Sequence, residues 1–132
     1  MEDSTFTKIL KGEIPGEIIY QDDSSAVLLT IDPLTPGHCL VIPKQQVDSL
    51  WDLDSVLYHH LFDIAKQMAR KIEANYNYIR VGMMVEGFGV PHAHIHVFGY
   101  TKPLEGTVQD HLAHPHLATP EELAIEAAKL RS

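Results

Sequence analysis

The apolar residues Val56, Leu57, Leu61, Ile64, Ala65, Met68 and Ile72 recur at intervals of three and four positions. That spacing puts them on one face of a helix and predicts an amphipathic helix from about Asp54 to Tyr76, with Asp52 or Asp54 as its N-cap. Upstream, "EIIYQDDSSAVLLTI" holds two apolar runs around the polar residues Gln21 to Ser25, which predicts a β-hairpin. "IDPLTPGH" is punctuated by proline and glycine and is expected to be a loop, and "CLVIP" a third strand. Downstream of the long helix, "YIRVGMMV" predicts a fourth strand, "EGFGVP" a glycine-rich turn and "HAHIHVFGY" a fifth strand.

The two ends are expected to be helical. "STFTKILKGEIPG" predicts a short helix stopped at Lys11 and Gly12, then a turn at Pro15 and Gly16. In "ATPEELAIEAAKLRS", Thr119 is a natural N-cap, Pro120 suits the first helical position, and Glu122 completes a capping box. The intervening "TKPLEGTVQDHLAHPHL" is expected to be a loop. Strands and helices thus come in runs rather than in strict alternation. The expected class is α+β: a five-stranded, mainly antiparallel sheet with one long helix and a C-terminal helix. With 132 residues and no repeat, low-complexity tract or linker, residues 1–132 are expected to form one domain.

Charge and composition narrow the function. A formal net charge of −8 argues against nonspecific nucleic-acid binding, which needs a basic surface, but leaves room for a small anionic ligand. No apolar run approaches the roughly 20 residues of a membrane helix, and "MEDSTFTKIL" lacks the apolar core of a signal peptide. The lone cysteine, Cys39, permits no internal disulfide and lies in the apolar run "HCLVIP", so it is expected to be a small core residue. These features suit the cytoplasm.

The concentrated chemistry is in "PHAHIHVFGY", where His92, His94 and His96 alternate with apolar residues. On a strand the three imidazoles share one face, with neighbours roughly 6.5–7 Å apart. A metal site is one reading; it would use two of the three with a residue from elsewhere, such as His38, His111, His114 or His116. A nucleophile with helpers is a second, since neutral imidazole attacks phosphorus and its neighbours donate protons near neutral pH. A solvated, histidine-rich strand face is the third. Gly87 and Gly89 favour an anion pocket, because backbone N–H groups approach a phosphate closely where no Cβ intervenes.

"HAHIHVF" resembles the histidine-triad signature, His-φ-His-φ-His-φ-φ with φ apolar. "GEIPGEIIYQDD" and "IDPLTPGHCLVIPK" are similar, in order and spacing, to the N-terminal half of histidine-triad nucleotide-binding proteins, so the resemblance runs from about residue 4 to residue 99. It implies a metal-independent hydrolase or transferase acting at the α-phosphate of nucleoside phosphoramidates or dinucleoside polyphosphates, with no cofactor. The implied ligand is a small purine nucleotide conjugate. His94 would attack phosphorus through Nε2 and form a nucleotidyl-histidine, its Nδ1–H oriented by the backbone carbonyl of His92. His96 would contact the phosphate and leaving group, and His38 would support the cluster. The backbone N–H groups of Gly89 and Val90 would hold phosphate, with Ile31 and Thr30 beside the base or sugar. Members are commonly homodimers.

Several positions depart from the family pattern. Many bacterial members begin with Cys-x-x-Cys, which with two histidines binds a structural zinc; here those cysteine positions are Ser4 and Thr7, and a further histidine position is Gln46. No metal site is therefore expected. Thr30 stands where members that grip the ribose carry aspartate, and Phe88 and Gly89 replace polar side chains before the triad. A metal-binding protein, or a nucleotide-binding module with little turnover, are the alternatives. "HLAHPH", residues 111–116, is expected to be solvated, or to fold over the pocket as a specificity element. His60 is expected to be packed rather than catalytic, Trp51 and Tyr58 to be core or interface anchors, and Asp22 and Asp23 to be turn residues.

Overall fold

The computed structural model describes residues 2–131. The predicted hairpin forms as β1 (Ile18–Gln21) and β2 (Ser25–Leu29), followed by β3 (Cys39–Pro43), β4 (Arg80–Met84) and β5 (Ile95–Tyr100). They make one sheet in the order β1-β2-β3-β5-β4, and every neighbouring pair is antiparallel. Asp22 makes the first turn: its Oδ1 accepts from the backbone N–H of Ser24 and Ser25 at 3.0 and 2.9 Å. His60, expected to be packed, is instead half-exposed and places Nε2 2.7 Å from Asp22 Oδ2, tying the long helix to the hairpin turn. Burial opposes ionisation of Asp22, but hydrogen bonds from Ser25, Tyr20 and His60 hold its carboxyl well below the usual range.

β2 and β3 read as unbroken apolar runs because both faces of the sheet are covered. Val27, Leu29, Cys39, Val41, Ile95 and Val97 face the long helix α2 (Ser55–Asn75), which contributes Leu57, Leu61, Ile64, Ala65, Met68 and Ile72. Ala26, Leu28, Leu40 and Ile42 face the other way and pack with Phe6 of the short helix α1 (Thr5–Leu10). Each fully buried Leu or Ile contributes about 1.5–3 kcal/mol. Cys39 is wholly buried as expected, and burial pushes its thiol up to about 12. The N-cap of α2 is Asp54, whose side chain accepts from the Leu57 N–H.

Two expectations are corrected. The region 101–117 is not all loop: α3 (Leu104–Ala113) forms there, entered through Pro103, whose fixed φ suits a first turn, and anchored by the buried Thr107. Its apolar positions Leu104, Val108 and Leu112 do follow a helical period, but the interior Gly106 and the many polar neighbours masked it. The fifth strand also begins later than predicted. Its ladder starts where Ile95 pairs with Val41; before that, His92 N–H donates to Val90 C=O at 2.8 Å and Ala93 N–H to Val47 C=O at 2.7 Å. Trp51, expected as a core or interface anchor, is 72% exposed, so it is not a core residue, and its ring lies against Tyr58.

The last helix, α4 (Pro120–Leu130), carries the predicted capping box of Thr119 and Glu122 and packs Leu123, Ala127 and Leu130 against α2. Ser132, at the end of the predicted helix, lies outside the described residues. The C-terminal segment also reaches the β2–β3 loop. Ala118 N–H donates to Ile31 C=O at 2.8 Å, and His111 Nε2 of α3 lies 3.1 Å from Asp32 Oδ1.

Candidate active site

His94 sits just ahead of β5, 6% exposed. Its Nδ1 lies 2.7 Å from the backbone oxygen of His92. A carbonyl oxygen only accepts, so Nδ1 carries the proton, and the neutral ring keeps its lone pair on Nε2. Phe6 and His96 both meet this ring in edge-to-face geometry, at 5.2 and 5.0 Å between centroids, and so pack against it.

His38 and His96 form a directional pair. The Leu34 N–H donates to His38 Nδ1 at 3.0 Å, so Nδ1 is bare and the neutral ring has its proton on Nε2. That Nε2–H points at His96 Nδ1, 2.9 Å away, and leaves His96 with its own proton on Nε2. Burial, helped by the fields of His96, His111 and His94, pushes His38 down to about 3. Burial and the field of His94 push His96 down to about 4. Both rings are thus neutral at pH 7, and the assigned protons follow. The cluster presents one ring with an unshared pair, His94, beside one ring with an outward donor, His96.

His92 differs from its neighbours. Its ring is wholly buried. Nε2–H donates to Pro43 C=O at 2.7 Å, and Nδ1 accepts from the Ser4 hydroxyl at 2.7 Å. Burial lowers its pKa, with the Pro43 carbonyl opposing. Thr7 Oγ1 and Ser4 N–H both donate to Gln46 Oε1 at 2.7 Å, and Gln46 Nε2 donates to Glu2 C=O at 2.8 Å. Ser4, Thr7 and Gln46, the positions where the resemblance implies zinc ligands, thus converge with His92 in one hydrogen-bonded group. They do not fit zinc: three offer neutral oxygens, and the imidazole nitrogens are already hydrogen-bonded, whereas zinc favours thiolate and free imidazole. Among the described residues, no group of three or more His, Cys, Asp or Glu side chains is placed to hold a metal ion.

The expected phosphate and sugar contacts surround this cluster unevenly. Gly87 and Gly89 both have positive φ, +86° and +90°, with open space where a Cβ would stand, so the loop turns without a side chain against the pocket. Val90 is half-buried on the α1 side of the sheet. A cavity of about 220 Å³ is lined by His94, Gly87, Glu86, Asp48 and Ser49 among others. A larger one, about 490 Å³, lies beside His38 and Thr30, and its far wall is Asp110, His111, His114 and Glu122. The Thr30 hydroxyl accepts from the Asp32 N–H at 3.1 Å, and Ile31 is 56% exposed at the rim. Sequence reading missed Phe6 and the convergence on His92; the hydrophobic period of the first helix is the only trace of the former.

A model of the HIT domain family matches residues 11–102. An uncharacterized HIT-like protein of Borreliella burgdorferi is 33% identical over 104 residues, covering 74% of this chain and 75% of its own. The crystal structure of a HIT-like protein involved in cell-cycle regulation from Bartonella henselae superposes with a TM-score of 0.82 at 24% identity, covering 99% of this chain and 98% of its own. A hypothetical histidine triad nucleotide-binding protein from Sulfolobus tokodaii superposes with a TM-score of 0.81 at 20% identity, covering 96% and 89%. These structural likenesses speak for the fold.

Proposed function

This chain belongs to the HIT domain family, and on that footing we propose that it is a metal-independent nucleotidyl hydrolase or transferase with His94 as nucleophile. One observation carries the reading: the 2.7 Å contact between His94 Nδ1 and the His92 carbonyl, which leaves Nε2 as the only nitrogen with a free pair. In the first step His94 Nε2 bonds to the α-phosphorus of a nucleoside phosphoramidate or dinucleoside polyphosphate. The bond from phosphorus to the leaving group breaks, and that group takes a proton from solvent. The resulting ring is cationic, and the His92 carbonyl stabilises the charge at Nδ1. Water then attacks phosphorus, the P–N bond breaks, and the nucleotide leaves.

His96 supplies a donor to the phosphoryl or leaving-group oxygen, and His38 fixes which nitrogen of His96 is that donor. The N–H groups of Gly89 and Val90 hold phosphate, and Thr30 and Ile31 border the sugar and base of a purine nucleotide. The β4 edge, with Ile79, Met83 and Val85 exposed at 67%, 43% and 39%, supports a homodimer joined along that strand. The buried free thiol of Cys39 supports the cytoplasm as the compartment, and no helix among the described residues is long and apolar enough to cross a membrane. The engaged hydroxyl of Thr30 favours a second reading, nucleotide binding with little turnover. Mass spectrometry of a quenched reaction with an adenosine phosphoramidate separates the two: an adduct of nucleotide mass on His94 supports the enzyme, and ligand retention without any adduct supports the binding module.

A further inference from the structure

We propose that Ser4 is a positioning residue for the histidine cluster, holding His92, and through its carbonyl His94, by hydrogen bonds where related proteins use a metal. The inference rests on the assignment of His94 as nucleophile and extends it to Ser4, 88 positions from His92 in the chain.

The Ser4 hydroxyl has two acceptors in reach, Thr7 Oγ1 at 3.2 Å and His92 Nδ1 at 2.7 Å, and the shorter contact and the need of the buried ring favour the second. Pro43 C=O accepts only, so His92 is protonated at Nε2, and its buried Nδ1 needs a donor. Ser4 Oγ, 2.7 Å away, is that donor; the same oxygen accepts from the Thr7 N–H at 3.0 Å and so caps α1. Thr7 Oγ1 also lies 3.4 Å from His92 Nδ1, but its proton is directed to Gln46. Gln46 Oε1 receives both Ser4 N–H and Thr7 O–H, and its amide is anchored on Glu2. Ser4 is 4% exposed and His92 fully buried, so water does not replace a lost partner cheaply. No side chain of the described residues is left buried without a hydrogen-bond partner. With both ring nitrogens occupied, the His92 side chain is pinned between α1 and β3, while the Ala93 N–H on Val47 C=O holds the peptide whose carbonyl sets the tautomer of His94; together they anchor that residue from both sides.

The network is all-neutral, and this separates it from a metal tether. It holds no ion, so it gives no sensitivity to chelators.

The test uses Ser4→Gly in the full chain, because glycine is tolerated at an N-cap with only a small loss of helix stability and removes the donor. Turnover number on an adenosine phosphoramidate is expected to fall roughly tenfold with KM changed less than about twofold, since positioning errors cost the chemical step rather than binding. Ser4→Thr, which keeps the hydroxyl, is expected to restore it. Imidazole ¹⁵N NMR reads the same effect without turnover: wild-type His92 shows Nε2–H with an accepting Nδ1 and His94 shows Nδ1–H, and Ser4→Gly mixes the His94 tautomers. Thr7→Val, which keeps the cap, serves as second variant if Ser4→Gly unfolds, with a smaller change in the same direction. Unchanged turnover together with an unchanged His94 tautomer in a folded Ser4→Gly overturns the proposal, as does stoichiometric tight binding of Zn²⁺ alone by the wild-type protein. Absence of a nucleotidyl adduct in wild type, with the NMR change intact, would instead count against His94 as nucleophile and leave the network standing.

Discussion

His38 Nε2 stands 2.9 Å from His96 Nδ1, and the Leu34 N–H occupies the opposite nitrogen of His38. A single backbone amide in the β2–β3 loop therefore decides the protonation pattern of two rings. It leaves His96 with its proton on Nε2, in a ring 5.0 Å between centroids from that of His94.

His94→Ala removes the ring of the four-histidine cluster whose Nε2 is left free. Turnover is expected to fall on the order of a thousandfold or more while the fold is retained, because no neighbouring side chain replaces a covalent nucleophile. Steady-state rates on a nucleoside phosphoramidate, with circular dichroism as the control for folding, check this. Near-wild-type rates would remove His94 from the chemistry.

His38→Ala is a milder lesion. It leaves His96 free to hold its proton on either nitrogen, so part of the population loses the outward donor. Turnover is expected to drop about ten- to a hundredfold, with little change in nucleotide affinity. Comparing the kinetic constant with a calorimetric Kd for the product nucleotide separates the two effects.

Stability depends on pH through the same pair. Ordinary imidazole titrates near 6.5, whereas burial holds His38 at about 3 and His96 at about 4. The unfolded chain therefore takes up protons before the folded one. The contribution of these neutral rings is complete above about pH 6.5 and is lost as pH falls toward 4 and then 3. Thermal melts are expected to show Tm declining through that window and a shallower decline in His38→Asn. Equal slopes for the two proteins would contradict the assignment.

Ile95 is wholly buried beneath α2 and immediately follows His94. Ile95→Ala is expected to cost about 2–5 kcal/mol in urea unfolding, through lost contacts and the cavity left behind. Because the same backbone carries His94, turnover should decline as well even where the variant is folded.

Met83→Asp places a charge on the exposed β4 edge. If two copies join along this strand, sedimentation at micromolar concentration changes from dimer to monomer, while the single-chain core stays folded. A monomeric wild type would dismiss the pairing outright.

Much of the fold is legible from periodicity. The stripe from Leu57 to Ile72, the Asp22 turn and the Thr119–Glu122 capping box each form where local physics places them. α3 is less legible because Gly106 and its polar neighbours weaken the local preference, and burial of Thr107 is a tertiary fact. The start of β5 was misread because alternation of histidine with apolar residues looks like a strand whether or not a partner is in register; Ala93 instead bonds to Val47. At the site, the motif identifies the four histidines but not their roles. Ser4, Thr7 and Gln46 stand out only as departures, since the 42-position separation of Ser4 and Gln46 hides their convergence on one ring.

The match to the HIT domain family ends at residue 102, yet α3 and the stretch leading into α4 wall the larger cavity and brace the β2–β3 loop through Ala118 and His111. On the proposed reading, the attacking ring and the outer wall of the neighbouring chamber are supplied by different parts of the polypeptide.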